Sequence, residues 1–270
     1  MKLPRFIAAL GFACAVCAGE AQVVVVGFTE TGNLPPNDDH YTTTPVALGF
    51  TINFGGTSYT ETFVSNNGYI TFGQGSGVYW PDPIDANYVS NGSPGLPIIA
   101  PFFADVDTRD PLSGIVNWGT ATVDNRPAFV VNWNNVGEFA AQTFSPNTFS
   151  LILVSRPDLG AGDFDVFFKY GSMTWDHENA VVGFHNGSPT TPLFYQAPGS
   201  GVPGALVNGG PNSLFASTNI GATGSILLQG RSGGFAAVAP ITVIPEPSTV
   251  VLLGLGLGAL ALFARRRRAA

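Results

Sequence analysis

Between residues 22 and 244, short runs of β-branched and aromatic residues recur between clusters of Gly, Pro, Asn and Ser, and no stretch sustains a helical spacing. Val46 to Asn53 and Ser58 to Val64 flank Gly55-Gly56, a hairpin signal, and Asn67-Gly68 then turns the chain into Tyr69 to Phe72. Further strands are predicted at Ile98 to Phe103, Ile115 to Thr122, Pro127 to Trp133, Thr148 to Ser155, Asp163 to Tyr170 and Ala180 to Phe184. In Asp163–Tyr170, alternation sends Phe164, Val166, Phe168 and Tyr170 to one face, and Asp163, Asp165, Phe167 and Lys169 to a mostly wet one. Such faces close on each other, which predicts an all-β fold, an antiparallel β-sandwich or distorted barrel. Gly73 to Pro97 reads as one long loop with Trp80-Pro81-Asp82-Pro83 inside it. The Gly/Ser/Asn-rich stretch from Tyr195 to Gly234 reads as edge strands followed by a linker at 235–244.

The two ends obey a different pattern. Lys2 and Arg5 precede an apolar segment, Phe6 to Ala18, too short to span a bilayer, and small residues follow it. Residues 1–21 therefore read as a secretory signal peptide cleaved after Ala18 or Ala21. Both cysteines, Cys14 and Cys17, fall inside it, so a disulfide framework and a thiolate metal site are excluded for the exported body. At the other end, Pro245-Glu246-Pro247 precedes an unbroken apolar run from Val250 to Ala264, which is followed by Arg265, Arg266, Arg267 and Arg268. As a helix that run rises roughly 23 Å, enough to cross or nearly cross a bilayer once its flanks and snorkelling arginines are counted. The arginines hold the C-terminal side in the cytoplasm, which places residues 22–234 outside. The glycines at 254, 256 and 258 lie within this apolar helix, where they allow close helix approach rather than phosphate binding.

Charge narrows the partners. The whole chain carries 11 basic and 18 acidic residues, a formal −7. Without the two end segments, 5 basic and 16 acidic residues remain, and the body stands at −11. That opposes binding to nucleic acid or to anionic headgroups and is compatible with divalent cations or neutral polysaccharide.

The segment VIPEPSTVVLLGLGLGALALFARRRR resembles the PEP-CTERM sorting signal of Gram-negative bacteria. The resemblance implies processing by a membrane-embedded exosortase, with Pro245, Glu246, Pro247 and Arg265 to Arg268 as the sorting motif and the helix as a transient membrane anchor. Within the body, the ordered series FVSNNGYITFG, PIIAPFFADVDT, GIVNW, FVVNWNNVGEF, NTFSLILV, FKYGSMTW and AVVGFHNG, over residues 46–187, resembles the nidogen-type extracellular domain. That family implies an exported adhesion or matrix module and brings no catalytic residues. The reading is a non-enzymatic cell-surface or biofilm-matrix protein associated with exopolysaccharide. The alternative is a secreted glycan-binding or glycan-cleaving protein.

Three groups of residues are candidates for chemistry. Asp105, Asp107 and Asp110 follow an apolar strand as Asp-x-Asp-x-x-Asp, hard oxygen ligands suited to calcium. The bland reading has them capping turns and pairing with Arg109 or Arg126. Tyr79, Trp80 and Tyr88 occupy the long loop beside Asn and Asp side chains, an arrangement that stacks and hydrogen-bonds sugar rings. The competing reading buries Trp80 in the core. A glycan-cleaving enzyme requires two facing carboxylates, for which Asp82, Asp85, Glu138 and Asp176 are the conceivable members. His177 and His185 are eight residues apart, too far for a helical zinc motif, and read as solvated turn histidines. Gly230-Arg231-Ser232-Gly233-Gly234 matches a nucleophile elbow in letters only, since no histidine follows it, and reads as a glycine linker.

Overall fold

The computed structural model describes residues 25–91, 95–175 and 179–244. The expected signal peptide, the sorting motif with its apolar helix, and Asp176, His177 and Glu178 lie outside the described residues. The strands, in chain order, are β1 (Val25–Asn33), β2 (Val46–Phe54), β3 (Thr57–Val64), β4 (Ile70–Thr71) and β5 (Ile98–Phe103). They continue as β6 (Val116–Val123), β7 (Arg126–Glu138), β8 (Gln142–Ser155), β9 (Phe164–Tyr170) and β10 (Val181–His185). Short strands complete the set: β11 (Phe194–Gln196), β12 (Ser217–Thr218), β13 (Ser225–Arg231), β14 (Gly234–Phe235) and β15 (Thr242–Val243). One four-residue helix, α1 (Tyr88–Asn91), lies in the long loop.

Among the described residues these strands form two sheets. The larger runs β1-β6-β7-β8-β9-β13-β12-β15, with β14 paired to β13, and the smaller runs β11-β10-β5-β4-β3-β2. Every pair is antiparallel except β12 with β13. The predicted all-β class holds, and the form is a sandwich. Its core takes Phe54, Ile70, Ile99, Phe102 and Phe184 from the smaller sheet and Phe129, Trp133, Phe149, Leu151 and Phe168 from the larger. Trp133 and Phe149 stack at 5.2 Å, and Phe149 meets Phe102 of the opposite sheet at 5.4 Å. Aromatic pairs of this kind add to plain area burial, and with no cysteine in the described body they carry the cohesion between the sheets.

The β2–β3 hairpin turns at Gly55 and Gly56, both at positive φ, as their spacing predicts. Other expectations are corrected. The outward face of β9 is not wet: Asp163, Asp165 and Phe167 are buried, and only Lys169 is partly exposed. Phe167 lies between Ile152 of β8 and Leu227 of β13 in register, part of an apolar strip on the outer surface of the larger sheet. Asp165 is held by Arg156, at 2.6 Å, and by Arg231. Likewise β13 is an interior strand. The stretch expected as a glycine linker closes a β13–β14 hairpin, with Ser232 and Gly233 both at positive φ and the Ser232 N–H donating to Asp163 at 2.8 Å. In the expected 235–244 linker, Phe235 packs on Phe184 at 3.9 Å and Thr242–Val243 pairs with β12.

One end of the sandwich is organised by the turn between β3 and β4. Gly68 sits at φ +77, and a Cβ there would stand 1.7 Å from the Phe102 carbonyl oxygen, so the Asn67-Gly68 turn has no room for a side chain at its second position. Asn66 and Asn67 are fully buried. The Asn66 side-chain amide donates to the carbonyls of Asp38 (2.6 Å) and Val106 (2.5 Å), while the Asn66 main-chain carbonyl accepts from the Trp133 indole at 2.9 Å. The Asn67 amide donates to Asp39 at 2.9 Å and to the Val78 carbonyl at 3.3 Å, and its oxygen accepts from the Val106 N–H at 3.0 Å. Asn66→Ala should therefore destabilise the fold by about 1–3 kcal/mol for each carbonyl left without its donor, read as a lower midpoint in urea denaturation.

Candidate functional site

Two clusters of candidate side chains are built on that turn. The first is acidic. The carboxylates that come within 4.8 Å of one another among the described residues are Asp38, Asp39 and Asp105, not the triplet Asp105, Asp107 and Asp110. Asp110 caps its own turn by accepting the Leu112 N–H at 2.7 Å. Asp107 is fully buried and takes the Arg109 guanidinium (Nε at 2.9 Å) together with the N–H groups of Arg109 (3.0 Å) and Ala141 (2.7 Å). With its oxygens so occupied, Asp107 is placed as an ion-pair partner. Arg109 also reaches Asp38 at 2.8 Å. Asp38 and Asp39 were missed by reading the triplet alone; their signal was the adjacent acidic pair in Asn37-Asp38-Asp39-His40, brought beside Asp105 by the two turn asparagines.

The second cluster is the long loop, which is packed rather than slack. The Tyr69 hydroxyl donates to the Val78 carbonyl at 2.9 Å and Thr71 to the Gln74 carbonyl at 2.7 Å. Ile84 and Tyr88 then sink onto the outer face of the smaller sheet against Ile98, Phe103 and Val181. Of the three aromatics considered for sugar binding, Tyr79 and Trp80 are 49% and 57% exposed, whereas Tyr88 is 0% exposed and is withdrawn from any ligand. Tyr88 opens α1, where an apolar ring next to the sheet gains more from burial than from solvent. Its neighbour His185 is buried too, 4.8 Å from the Tyr88 ring, with Nδ1 accepting the Gly187 N–H at 2.9 Å. Burial lowers the His185 pKa against the pull of Asp85, so it is a neutral core histidine and not a solvated one.

Trp80 borders a groove of about 320 Å³ whose other walls include Pro81, Asp82, Asn179, Val181 and Gln196. Ile84 donates its N–H to the Gln196 side-chain oxygen at 2.8 Å, fastening the loop to β11. Asn179 and Gln196 carry no local sequence signal. They reach the groove only because β10 and β11 are neighbours at the sheet edge. Of the carboxylates considered for catalysis, Asp82 lines this groove, Asp85 accepts the Asn87 N–H beside α1 at 2.7 Å, and Glu138 is buried in β7.

Burial pushes the Asp107 pKa up, but the bonds from the Arg109 side chain and from two backbone N–H groups outweigh it, and the net shift is downward. A lowered folded pKa contributes stability that is present above the unfolded value of 3.8 and is lost as pH falls through the folded one. Asp38 has the opposite sign. Burial, then Asp107 and Asp39, raise its pKa against Arg109, so its ionisation weakens the fold as pH rises. Asp107→Asn is expected to cost about 1–3 kcal/mol at pH 7. That difference from the native protein should shrink as denaturation is repeated below pH 3.8.

Comparisons with known proteins agree with this architecture. Residues 19–196 match the family model described as NIDO related, and residues 243–268 match the PEP-CTERM protein-sorting motif. Nidogen of Drosophila melanogaster is 25% identical over 225 residues, which covers 73% of this chain and 15% of that protein. The chain thus spans a small part of the length of the relative it matches. No solved structure matches it. The tail match marks an exported protein, sorted and processed through exosortase. By the extent of the first match and the sandwich that it covers, the chain belongs to the NIDO-related family and carries a PEP-CTERM sorting motif.

Proposed function

We propose that this protein is a non-enzymatic adhesive or structural module of the bacterial cell surface or biofilm matrix, associated with extracellular polysaccharide. The observation that carries the reading is the joint occurrence of a NIDO-related sandwich and an exosortase sorting motif in one chain. A β-sandwich whose core is aromatic and whose body lacks cysteine suits a domain that keeps its shape outside the cell without depending on redox conditions.

The distribution of charge supports the non-enzymatic part. Hydrolysis of a glycosidic bond uses two carboxyl groups that face each other across a cleft. Here two of the four acidic groups considered are committed elsewhere, Asp85 to the α1 end and Glu138 to the interior of β7. The groove by Trp80 has Asp82 as the acidic side chain of its described lining. A binding role is favoured over a cleaving one on that ground. Affinity for nucleic acid is disfavoured by the body's −11 charge.

Two experiments test the reading. Glu246→Ala, or replacement of Arg265 to Arg268 by neutral residues, should accumulate a full-length membrane-bound precursor in the producing cells. Mature masses and distribution equal to the native protein's would contradict sorting through this motif. The protein purified from those cells should be retained by the producer's own exopolysaccharide in a pull-down and should release no new reducing ends. Release of oligosaccharides would replace the adhesive reading by an enzymatic one, and absence of retention would remove the polysaccharide partner.

A further inference from the structure

We propose that the groove beside Trp80 is a subsite for a single neutral sugar ring, with the pyranose lying on the indole and its hydroxyls read by Asp82, Asn179 and Gln196. The proposal deepens the polysaccharide reading and rests on it. The first support is how the indole is presented. Trp80 is 57% exposed although the chain on both sides is anchored: Val78 by the Tyr69 hydroxyl, Pro81 by burial, and Ile84 by the Gln196 side chain. Pro81 and Pro83 fix their own φ angles. A large ring held in water by a rigid loop is already in its binding conformation, so little ordering entropy is lost when a ligand covers it.

The second support is the chemistry of the walls. Because the Ile84 N–H donates to the Gln196 side-chain oxygen, the amide is oriented, and its NH2 group is the end left to donate to a ligand. Asp82 supplies acceptors only, and Asn179 supplies both kinds of group. Donors and acceptors thus stand around an apolar platform made by Trp80, Pro81 and Val181. A pyranose has the matching form, with C–H groups on one face and hydroxyls at the rim, each able to donate and accept. At about 320 Å³ the groove is near the lower end of small-ligand sites, roughly 300–1,000 Å³, which suits one ring of a longer chain.

Charge selects a neutral sugar. Among the described residues, no lysine or arginine lines the groove. The four arginines of the described residues are all paired with aspartates: Arg109 with Asp107 and Asp38, Arg126 with Asp158, Arg156 with Asp158 and Asp165, and Arg231 with Asp165. Lys169 of β9 donates to the Ser225 hydroxyl of the adjacent β13 at 2.6 Å, in the larger sheet and away from the groove. A uronate or sulfate ring would meet Asp82 without a compensating cation, and like charges at close range repel.

The test uses the protein purified from producing cells, titrated calorimetrically with neutral gluco-, manno- and galacto-oligosaccharides and with an oligogalacturonate of equal length. At least one neutral oligosaccharide should bind, and Trp80→Ala should weaken it about tenfold, the upper range of an aromatic contact, with an unchanged melting temperature. Gln196→Glu keeps an acceptor for the Ile84 N–H while removing the donor, and should also weaken binding. Oligogalacturonate binding as tightly as the neutral chains would overturn the selection by charge. If no neutral oligosaccharide binds, or if Trp80→Ala binds like the native protein, the groove is not the subsite. In either case, retention of both proteins by the native exopolysaccharide leaves the adhesive reading in place, whereas loss of retention by both removes that reading as well.

Discussion

The turn between β3 and β4 brings two asparagine side chains into the interior, and most of what is distinctive about this end of the sandwich follows from their hydrogen bonds. A buried amide must find partners or lose its solvation without return. Asn66 and Asn67 find theirs in segments far apart in sequence: the 37–39 loop, Val78 at the start of the long loop, and Val106 after β5. Gly68 lets the turn lie against the Phe102 backbone, and the Trp133 indole closes it from the larger sheet. One turn thereby ties the two sheets together, assembles Asp38, Asp39 and Asp105, and fixes the stem from which Trp80 is displayed.

A second constraint acts on the β4, β5 and β10 part of the smaller sheet, which is apolar on both faces. Its inner face meets the larger sheet, and its outer face presents Tyr69, Ile98, Ala100, Phe103 and Val181. That surface has to be covered, and the 73–97 loop covers it with Ile84 and Tyr88. The residues just before Ile84, from Trp80 to Pro83, then line a groove with Val181 of β10 and Gln196 of β11. The groove is therefore a by-product of core packing, and its walls come from two sources, the loop and the edge strands.

The strands that sequence alone places well are those whose signals are local. Ile98–Phe103 is recovered to the residue, since it is a continuous apolar run, and the β2–β3 hairpin is announced by Gly55-Gly56. β1 escapes notice because Val25–Asn33 is mostly exposed and pairs with β6 through two irregularities, so neither alternation nor burial marks it. The outer face of β9 misleads for a different reason. Asp163 and Asp165 look like solvent-facing positions, yet Arg156 after β8 and Arg231 of β13 pair with Asp165, and the Ser232 N–H donates to Asp163, contacts set by strand order. Tyr88 and Trp80 are alike as letters in a loop, and only the apolar outer face beneath them decides which one is buried. The acidic site shows the same limit, because Asp105 is grouped with residues more than sixty positions earlier.

Charge is distributed according to a related logic. With 5 basic and 16 acidic residues in the exported body, each cation has several possible partners, and the arginines settle where aspartates are buried or crowded. Asp107 and Asp165 need them, since a buried carboxylate without a counter-charge is costly. This use consumes the positive charge within the fold. The remaining surface is net acidic and carries exposed aromatic and aliphatic side chains, Tyr79, Trp80, Phe139 and Phe144 among them. Such a surface opposes binding to nucleic acid and to anionic membranes, since both need lysine and arginine footprints.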